Sequence, residues 1–473
     1  MPTPPTPPPR SLITRLGIPP TLAWGYLGLL LFMIGDGVES GYLSPYLIDE
    51  GISQPRVALL FTVYGAAAAI AAWLSGVLSD LWGPRRVMWA GLGIWGVFQL
   101  LFLVLAIPMT SYPLMMLGYG LRGLGYPLFA YGFLVWIASV APRARLGTAM
   151  GWFWFAFTGG LPTLGSLVAS GLIPQIGAYA TLWSALVLVA AGGLIALLLV
   201  RDDGGGKRPR GETEGPLATL VGSVTVLWRN PRVGAGSLAR VINTASQFGF
   251  FVIMPIHFTK TVGFSLTEWL HLLSAMFATN IFANLLFGVV GDRFGWRRTI
   301  AWFGGAGCTV STLLLFYVPN AAGDNFPLAL LAAAFYGATL AGYVPLSALV
   351  PSLEPRHKGQ ALAALNLGAG ASTFIGPAVV AVFVGPLGVT GVVWIFAGMH
   401  AVSTVLALFL KLPDDAGAAP ADGAAQDTGA AQDTGAPQDT AAPEHAAPDA
   451  APAAAAPATA APATASAGVK GLI

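Results

Sequence analysis

Residues Gly76–Arg86 read GVLSDLWGPRR, and residues Gly288–Arg298 read GVVGDRFGWRR. Gly76, Asp80, Gly83, Arg85 and Arg86 of the first stretch fall on Gly288, Asp292, Gly295, Arg297 and Arg298 of the second without a gap. A second pair lies at almost the same interval, YGLRGLGYP from Tyr119 and YGATLAGYVP from Tyr336. PRARLG at Pro142 and PRHKG at Pro355 follow them. A chain that repeats such frames at one long interval is built from two related halves.

Each copy of the first frame joins two long apolar runs. Of the 473 residues, 55% are hydrophobic and only 9% are charged, against about 25% charged in an average soluble protein. A soluble core cannot hide that much apolar surface, whereas a bilayer can. Spanning helices are expected near 22–47, 56–79, 87–107, 112–140, 147–173 and 177–200, then near 236–260, 267–291, 299–319, 327–352, 358–384 and 388–411. The fold class is therefore an all-α membrane protein with twelve transmembrane helices in two six-helix bundles. The expected division is a Pro-rich cytoplasmic start (1–21), a first bundle (22–200), a polar cytoplasmic linker (201–235), a second bundle (236–411) and an Ala/Pro-rich tail (412–473). The tail carries a near-repeat, AAQDTG, AAQDTG, APQDTA, and too few large apolar residues for a core, so disorder is expected there. The start, MPTPPTPPPRSLITR, lacks the basic-then-apolar layout of a cleavable signal, so the first helix is expected to remain as its own insertion signal.

Basic residues set the orientation. Arg10, Arg15, Arg85, Arg86, Arg143, Arg145, Lys207, Arg229, Arg297, Arg298, Arg356 and Lys411 all fall on one side of this layout, whereas the other side carries only Arg56 and Lys260. Both termini are expected in the cytoplasm. Richness in Ala, Gly, Pro and Arg with only five lysines suggests a GC-rich bacterial genome, hence a bacterial cytoplasmic membrane. The single cysteine, Cys308, lies in an apolar run and reads as a packed thiol. No metal-ligand cluster, nucleophile–base pair, phosphate-binding loop or appended catalytic domain is recognisable, which argues against an enzyme and against ATP-driven transport. No cofactor, metal or nucleic-acid partner is expected, and a monomer is the default.

The repeated frame has a mechanical reading. Its glycines permit a tight turn and close helix approach. Asp80 and Asp292, at the membrane edge, can accept hydrogen bonds from a neighbouring helix N-terminus or from nearby arginine, contacts able to form in one state and break in another. With this layout, the frame resembles the loop signature of the Major Facilitator Superfamily over residues 20–412. More narrowly, MIGDGVESGYLSPYL, Met33–Leu47, resembles the polyol permease family, which includes ribitol and D-arabinitol transporters and a relative assigned to 2-oxoglutarate. The resemblance implies two bundles around a central cavity, alternating access, and coupling to the proton gradient. The long tail is not part of the family pattern.

Ionisable groups inside a span cost about 2.5–3.5 kcal/mol each on insertion scales and mark candidate sites. Asp36 and Glu39, three apart on the first helix, share one face and do not both ionise readily. Arg122, mid-way along the fourth helix, resembles the arginine that pairs with a first-helix acid in proton-coupled sugar transporters of this superfamily. Asp36 is its expected partner and Glu39 the alternative. Arg240, Asn243 and Gln247 fall on one face of the seventh helix, Asn280 and Asn284 on one face of the eighth, and Asn366 interrupts the eleventh. These groups suit the hydroxyls of a solute, or serve as interhelical glue. Trp152, Trp154 and Tyr126 offer flat faces to a sugar-like solute, or pack. Glu268 and His271 read as solvated surface, His400 as a packed or interfacial residue.

The function expected from these residues is proton-coupled import of a sugar alcohol. Symport of a dicarboxylate such as 2-oxoglutarate is an alternative, disfavoured because the two acids would repel an anion and Arg122 is already paired. Drug export on the same fold is a further alternative.

Overall fold

The computed structural model describes residues 18–141, 146–201, 216–355 and 358–411. The Pro-rich start to residue 17, the polar stretch 202–215, the tail from 412, and the Asp80 side chain lie outside the described residues.

Among the described residues every regular element is helical. Nine helices are long and apolar enough to cross a membrane. Two of them hold two spans each, parted where the backbone leaves helical geometry at Gly177 and at Gly388. The first span is missing from the nine because it is broken, into Ala23–Gly37 and Leu43–Asp49. Twelve spans result, as the hydropathy pattern predicts. We number them α1 (the broken pair), α2 (Gln54–Trp82), α3 (Pro84–Ala106), α4 (Tyr112–Val140), α5 and α6 (146–199, parted at Gly177), α7 (Pro231–Val262), α8 (Leu266–Phe294), α9 (Trp296–Ala322), α10 (Phe326–Ser352), and α11 and α12 (358–409, parted at Gly388).

Local chemistry starts these helices where they start. Proline stands in the first turn of α2, α3, α4, α7 and α10, where its missing N–H is no loss. Asn230 caps α7 and Asn325 caps α10. Ser265 and Glu268 form a reciprocal capping box at the start of α8, so Glu268 has a structural task beyond lying on a wet surface. Large apolar side chains remain exposed along the outside, Phe282, Leu285 and Leu286 of α8 among them, as lipid-facing surface requires.

The expected linker differs in one respect. Pro216–Arg229 is a helix, and α7 begins at Pro231 rather than near 236. Its Ser223 and Val226 are buried, and Trp73 of α2 donates to the Ser223 hydroxyl at 3.4 Å. Val221 and Trp228 stay exposed. Apolar residues spaced three and four apart within LATLVGSVTVLW make this helix amphipathic. The Gly, Lys and Arg of the preceding residues mask that pattern in a reading by composition.

Four contacts join the halves at the face opposite the basic loops. Ser44 donates to the Val252 carbonyl (2.7 Å), Trp269 to the Gly41 carbonyl (2.9 Å) and Ser274 to the Thr163 carbonyl (3.1 Å), and Lys260 pairs with Asp49 (3.2 Å). Midway down, Thr373 of α11 donates to the Gly65 carbonyl of α2 at 2.7 Å.

The repeated frame shows why its glycines are fixed. Gly83 has φ +84° and Gly295 φ +90°, each closing one helix and opening the next through a backbone conformation that L side chains rarely adopt. The first glycines behave otherwise. A Cβ on Gly76 or Gly288 would meet no atom within 4 Å, so neither mediates the expected close helix approach in this state.

Candidate functional site

The helical path of α1 ends at Gly37, and residues 38–42 form turns before Leu43 resumes. The break coincides with a close approach of two backbones. A Cβ on Gly37 would run into the Leu161 carbonyl of α5, so the two backbones touch here. Asp36 and Glu39 therefore do not share a helix face, because the three-residue spacing rule holds only along an unbroken helix.

Both acids are about 3% exposed, and they diverge. Glu39 receives the guanidinium of Arg122 in a two-pronged pair, Nη1 to Oε2 at 2.7 Å and Nη2 to Oε1. The expected pairing of Arg122 with Asp36 is thus corrected to Glu39. Asp36 instead accepts from the indole N–H of Trp95 at 2.6 Å, with the Tyr64 hydroxyl beside it. Arg122 is fully buried and also donates to the Gln99 side-chain oxygen. Three rings enclose its cation: Tyr119 at 4.6 Å, Trp95 at 5.0 Å and Tyr64 at 5.3 Å. Trp95 thus touches both acids' systems, through its N–H and through its face.

Gln99, Trp95, Tyr64 and Tyr119 escape the sequence reading as site residues. Gln99 is the one with a signal, an amide in an otherwise apolar segment. Trp95 lies one turn before it on α3, indistinguishable in sequence from a packing aromatic.

A chain of rings leads away from this cluster. Tyr64 lies 4.7 Å from Tyr119 and 6.3 Å from Tyr126. Tyr126 lies 6.3 Å from Phe157, which lies 6.0 Å from Tyr131, itself 6.5 Å from Trp154. Tyr126 and Trp154 are therefore brought together. Trp152 is not, because two steps along a helix turn a side chain by about 200°. It packs edge-on against Phe155 instead.

The chain of rings ends opposite α7, where Tyr131 feels the charge of Arg240. No carboxylate pairs with Arg240 among the described residues. Asn243 is buried with its side-chain oxygen unpartnered, and half-buried Gln247 makes no hydrogen bond among the described residues. The polar face of α7 is therefore present and unsatisfied. The α8 amides differ: Asn280 donates to the Gly337 carbonyl of α10 at 2.9 Å, and Asn284 to Asn280 at 3.3 Å. These two already have partners within the fold. Asn366 of α11 is exposed and unbonded among the described residues.

On the second half, Ser246 bonds Tyr336 (2.7 Å) and His400 Nε2 (2.9 Å), and Tyr343 bonds His400 Nδ1 (3.1 Å). Tyr336 and Tyr343 are the repeat counterparts of Tyr119 and Tyr126. A neutral network thus stands where the first half holds its ion pair, and His400 is packed as expected.

In the repeated frame, Arg85 donates to the Leu197 carbonyl at 2.6 Å. Asp292 accepts from the Trp296 indole at 2.9 Å rather than from arginine or a helix N-terminus. Arg86, Arg297 and Arg298 have no ion-pair partner among the described residues.

The family profile described as Major Facilitator Superfamily matches residues 25–238 and 236–459. The chain is 45% identical over 407 residues to the alpha-ketoglutarate permease of Bacillus subtilis, covering 86% of this chain and 93% of that one. It is 39% identical over 398 residues to the D-arabinitol transporter of Klebsiella pneumoniae, covering 84% and 94%. The solved nucleoside transporter NupG superposes with a TM-score of 0.65 at 16% identity, over 82% of this chain and 99% of that one, a likeness of fold alone. The resemblance to polyol permeases thus widens to a set of relatives named for both polyols and a dicarboxylate. With two six-helix bundles, an enclosed ion pair and an unsatisfied polar face between the halves, the chain belongs to the Major Facilitator Superfamily, a multi-pass membrane transporter of a small solute and not an enzyme.

Proposed function

We propose that this transporter is a proton-coupled symporter that imports a small dicarboxylate of the 2-oxoglutarate type by alternating access. It would sit in a bacterial cytoplasmic membrane with its basic face and both termini inside. The observation that carries the reading is Arg240, a guanidinium within a spanning helix that no carboxylate neutralises among the described residues. Arginine binds a carboxylate through two parallel N–H donors, and an unpaired one inside a membrane calls for an anion. Asn243 and Gln247 lie along the same face, with the Tyr131 hydroxyl opposite.

This exchanges the order of the two leading expectations, and the reason is Arg240, a second cation left without a carboxylate among the described residues. The sequence alone disfavours the dicarboxylate because two acids would repel an anion and because Arg122 is already spent on one of them. Glu39 is neutralised by Arg122, which leaves Asp36 as the acid without a cation. A proton on Asp36 removes that remaining charge, so proton and anion each favour the other's entry. The 45% identical relative named alpha-ketoglutarate permease supports the same substrate class.

Import of a sugar alcohol of the ribitol or D-arabinitol class is the second reading, favoured by the amides of α7, the aromatic chain Tyr126–Phe157–Tyr131–Trp154 and the relatives named for those solutes. Titration calorimetry on purified protein separates the two. Heat on adding 2-oxoglutarate, absent with ribitol and D-arabinitol and lost in Arg240→Gln, supports the dicarboxylate. Heat with a polyol alone replaces it by the second reading.

A further inference from the structure

Asp36 and the contacts that close one face of the protein lie on either side of the break in α1. Asp36 stands next to the end of the first piece, Ala23–Gly37. Gly41, Ser44 and Asp49, in the turn and on the second piece, make three of the four contacts with the second half opposite the basic loops. Resting on the reading of Asp36 as the proton site, we propose that Trp95 is the positioning residue that carries its protonation state to those contacts.

Trp95 reaches across the break. It is fully buried, and a Cβ on Gly125 of α4 would lie 2.5 Å from the Trp95 Cβ, so its backbone is pinned and only the indole can turn. The indole N–H donates to Asp36 Oδ1 at 2.6 Å, and the ring lies 5.0 Å from the Arg122 guanidinium carbon. Arg122 in turn holds Glu39 with two nitrogens. The Glu39 carbonyl accepts from the Tyr42 and Leu43 N–H groups, which start the second piece. Each step is a direct contact, so the acid is joined to the closing contacts through touching groups.

Charge on Asp36 governs the first step. An ionised carboxylate accepts from the indole in a charge-assisted bond, about twice as strong as its neutral counterpart. A proton taken from water onto Asp36 leaves a neutral acid and changes no other covalent bond. The weaker hydrogen bond frees the indole to turn, its face leaves Arg122, and the Arg122–Glu39 pair loses that support. The second piece of α1 then loosens at its root, and the face opposite the basic loops opens.

Other groups face Asp36: Glu39 on α1, Tyr64 on α2, and Arg122, Tyr119 and Tyr126 on α4. Tyr64 shares the double reach, with its hydroxyl beside Asp36 and its ring 5.3 Å from Arg122. That ring is stacked on Tyr119 at 4.7 Å and is held whatever the charge of the acid. Trp95 meets Phe32 edge-on at 6.1 Å, so its orientation depends on Asp36.

The test is the distance between spin labels at Met109→Cys and Asp324→Cys, one exposed loop position in each half on that face. It is measured by pulsed electron resonance on the full-length protein in lipid nanodiscs over a series of pH values. No solute is added, so the readout does not depend on which solute is carried. The parent distance should lengthen as the pH falls, and Asp36→Asn should hold one distance at every pH. Trp95→Phe keeps a ring for Arg122 but removes the N–H, and should lose the response as Asp36→Asn does. A Trp95 that merely packs would lower the melting temperature on substitution and leave the pH response in place. Where Trp95→Phe fails to fold, 3-benzothienylalanine at position 95, with sulfur in place of the N–H and the same ring outline, makes the same comparison. The parent's response in the position-95 variant overturns the inference and leaves Asp36 as the proton site. A parent distance indifferent to pH overturns Asp36 as the switch of that face and the inference with it.

Discussion

Arg122 gives two guanidinium nitrogens to Glu39, while Asp36, less than one turn earlier in the sequence, is left to the indole N–H of Trp95. The break of α1 between them separates two tasks that a continuous helix would merge. One acid is locked to a cation and the other is free of one.

That separation has a stability signature. Glu39→Gln leaves Arg122 charged and unpaired in a dry site, so a loss of about 3–5 kcal/mol is expected. Asp36→Asn keeps an oxygen that can accept from the Trp95 indole and loses only the charge on it, so it should lose no more than about 1–2 kcal/mol. Thermal unfolding in detergent compares them, and equal losses would contradict the assignment of the ion pair.

Transport should divide the acids differently. Asp36→Asn is expected to abolish uphill accumulation driven by a pH gradient while solute exchange across the membrane continues. Accumulation at the parent level in that variant removes Asp36 from coupling.

The amides of α7 and α8 should also part. Arg240→Gln is expected to raise KM for 2-oxoglutarate by roughly tenfold to a hundredfold, and Gln247→Ala by about fivefold, with little change in melting temperature. Asn280→Ala should instead lower stability by about 1 kcal/mol and leave KM unchanged, because its donor is spent on the Gly337 carbonyl. Kinetics and melting curves on the same three variants decide this.

In the repeated frame, Gly83→Ala and Gly295→Ala should each destabilise by about 1–2 kcal/mol, since φ near +84° and +90° crowds a Cβ. Gly76→Ala meets open space and should leave the melting temperature within about 1 °C. Equal shifts at Gly76 and Gly83 would show that the frame is conserved between halves for packing and not for its turn.

The repeat and the hydropathy pattern make the two halves and their twelve spans legible, because both are properties of the chain itself. Arg122 is legible too, since a charge within a span has few uses. Its partner is not. The break of α1 falls where Gly37 touches Leu161 of another helix, and it leaves no periodic trace in the sequence. Asn280 and Gln247 look alike in sequence, and only the Gly337 carbonyl tells them apart. The helix Pro216–Arg229 has a readable apolar spacing, obscured by the polar composition before it.

The most direct test of the central claim is proton uptake by liposomes containing the purified protein, on addition of 2-oxoglutarate, ribitol, D-arabinitol, xylitol or mannitol. Uptake is expected with 2-oxoglutarate, none with the four polyols, and the signal should be lost in Arg240→Gln. Uptake with a polyol and none with 2-oxoglutarate would contradict it.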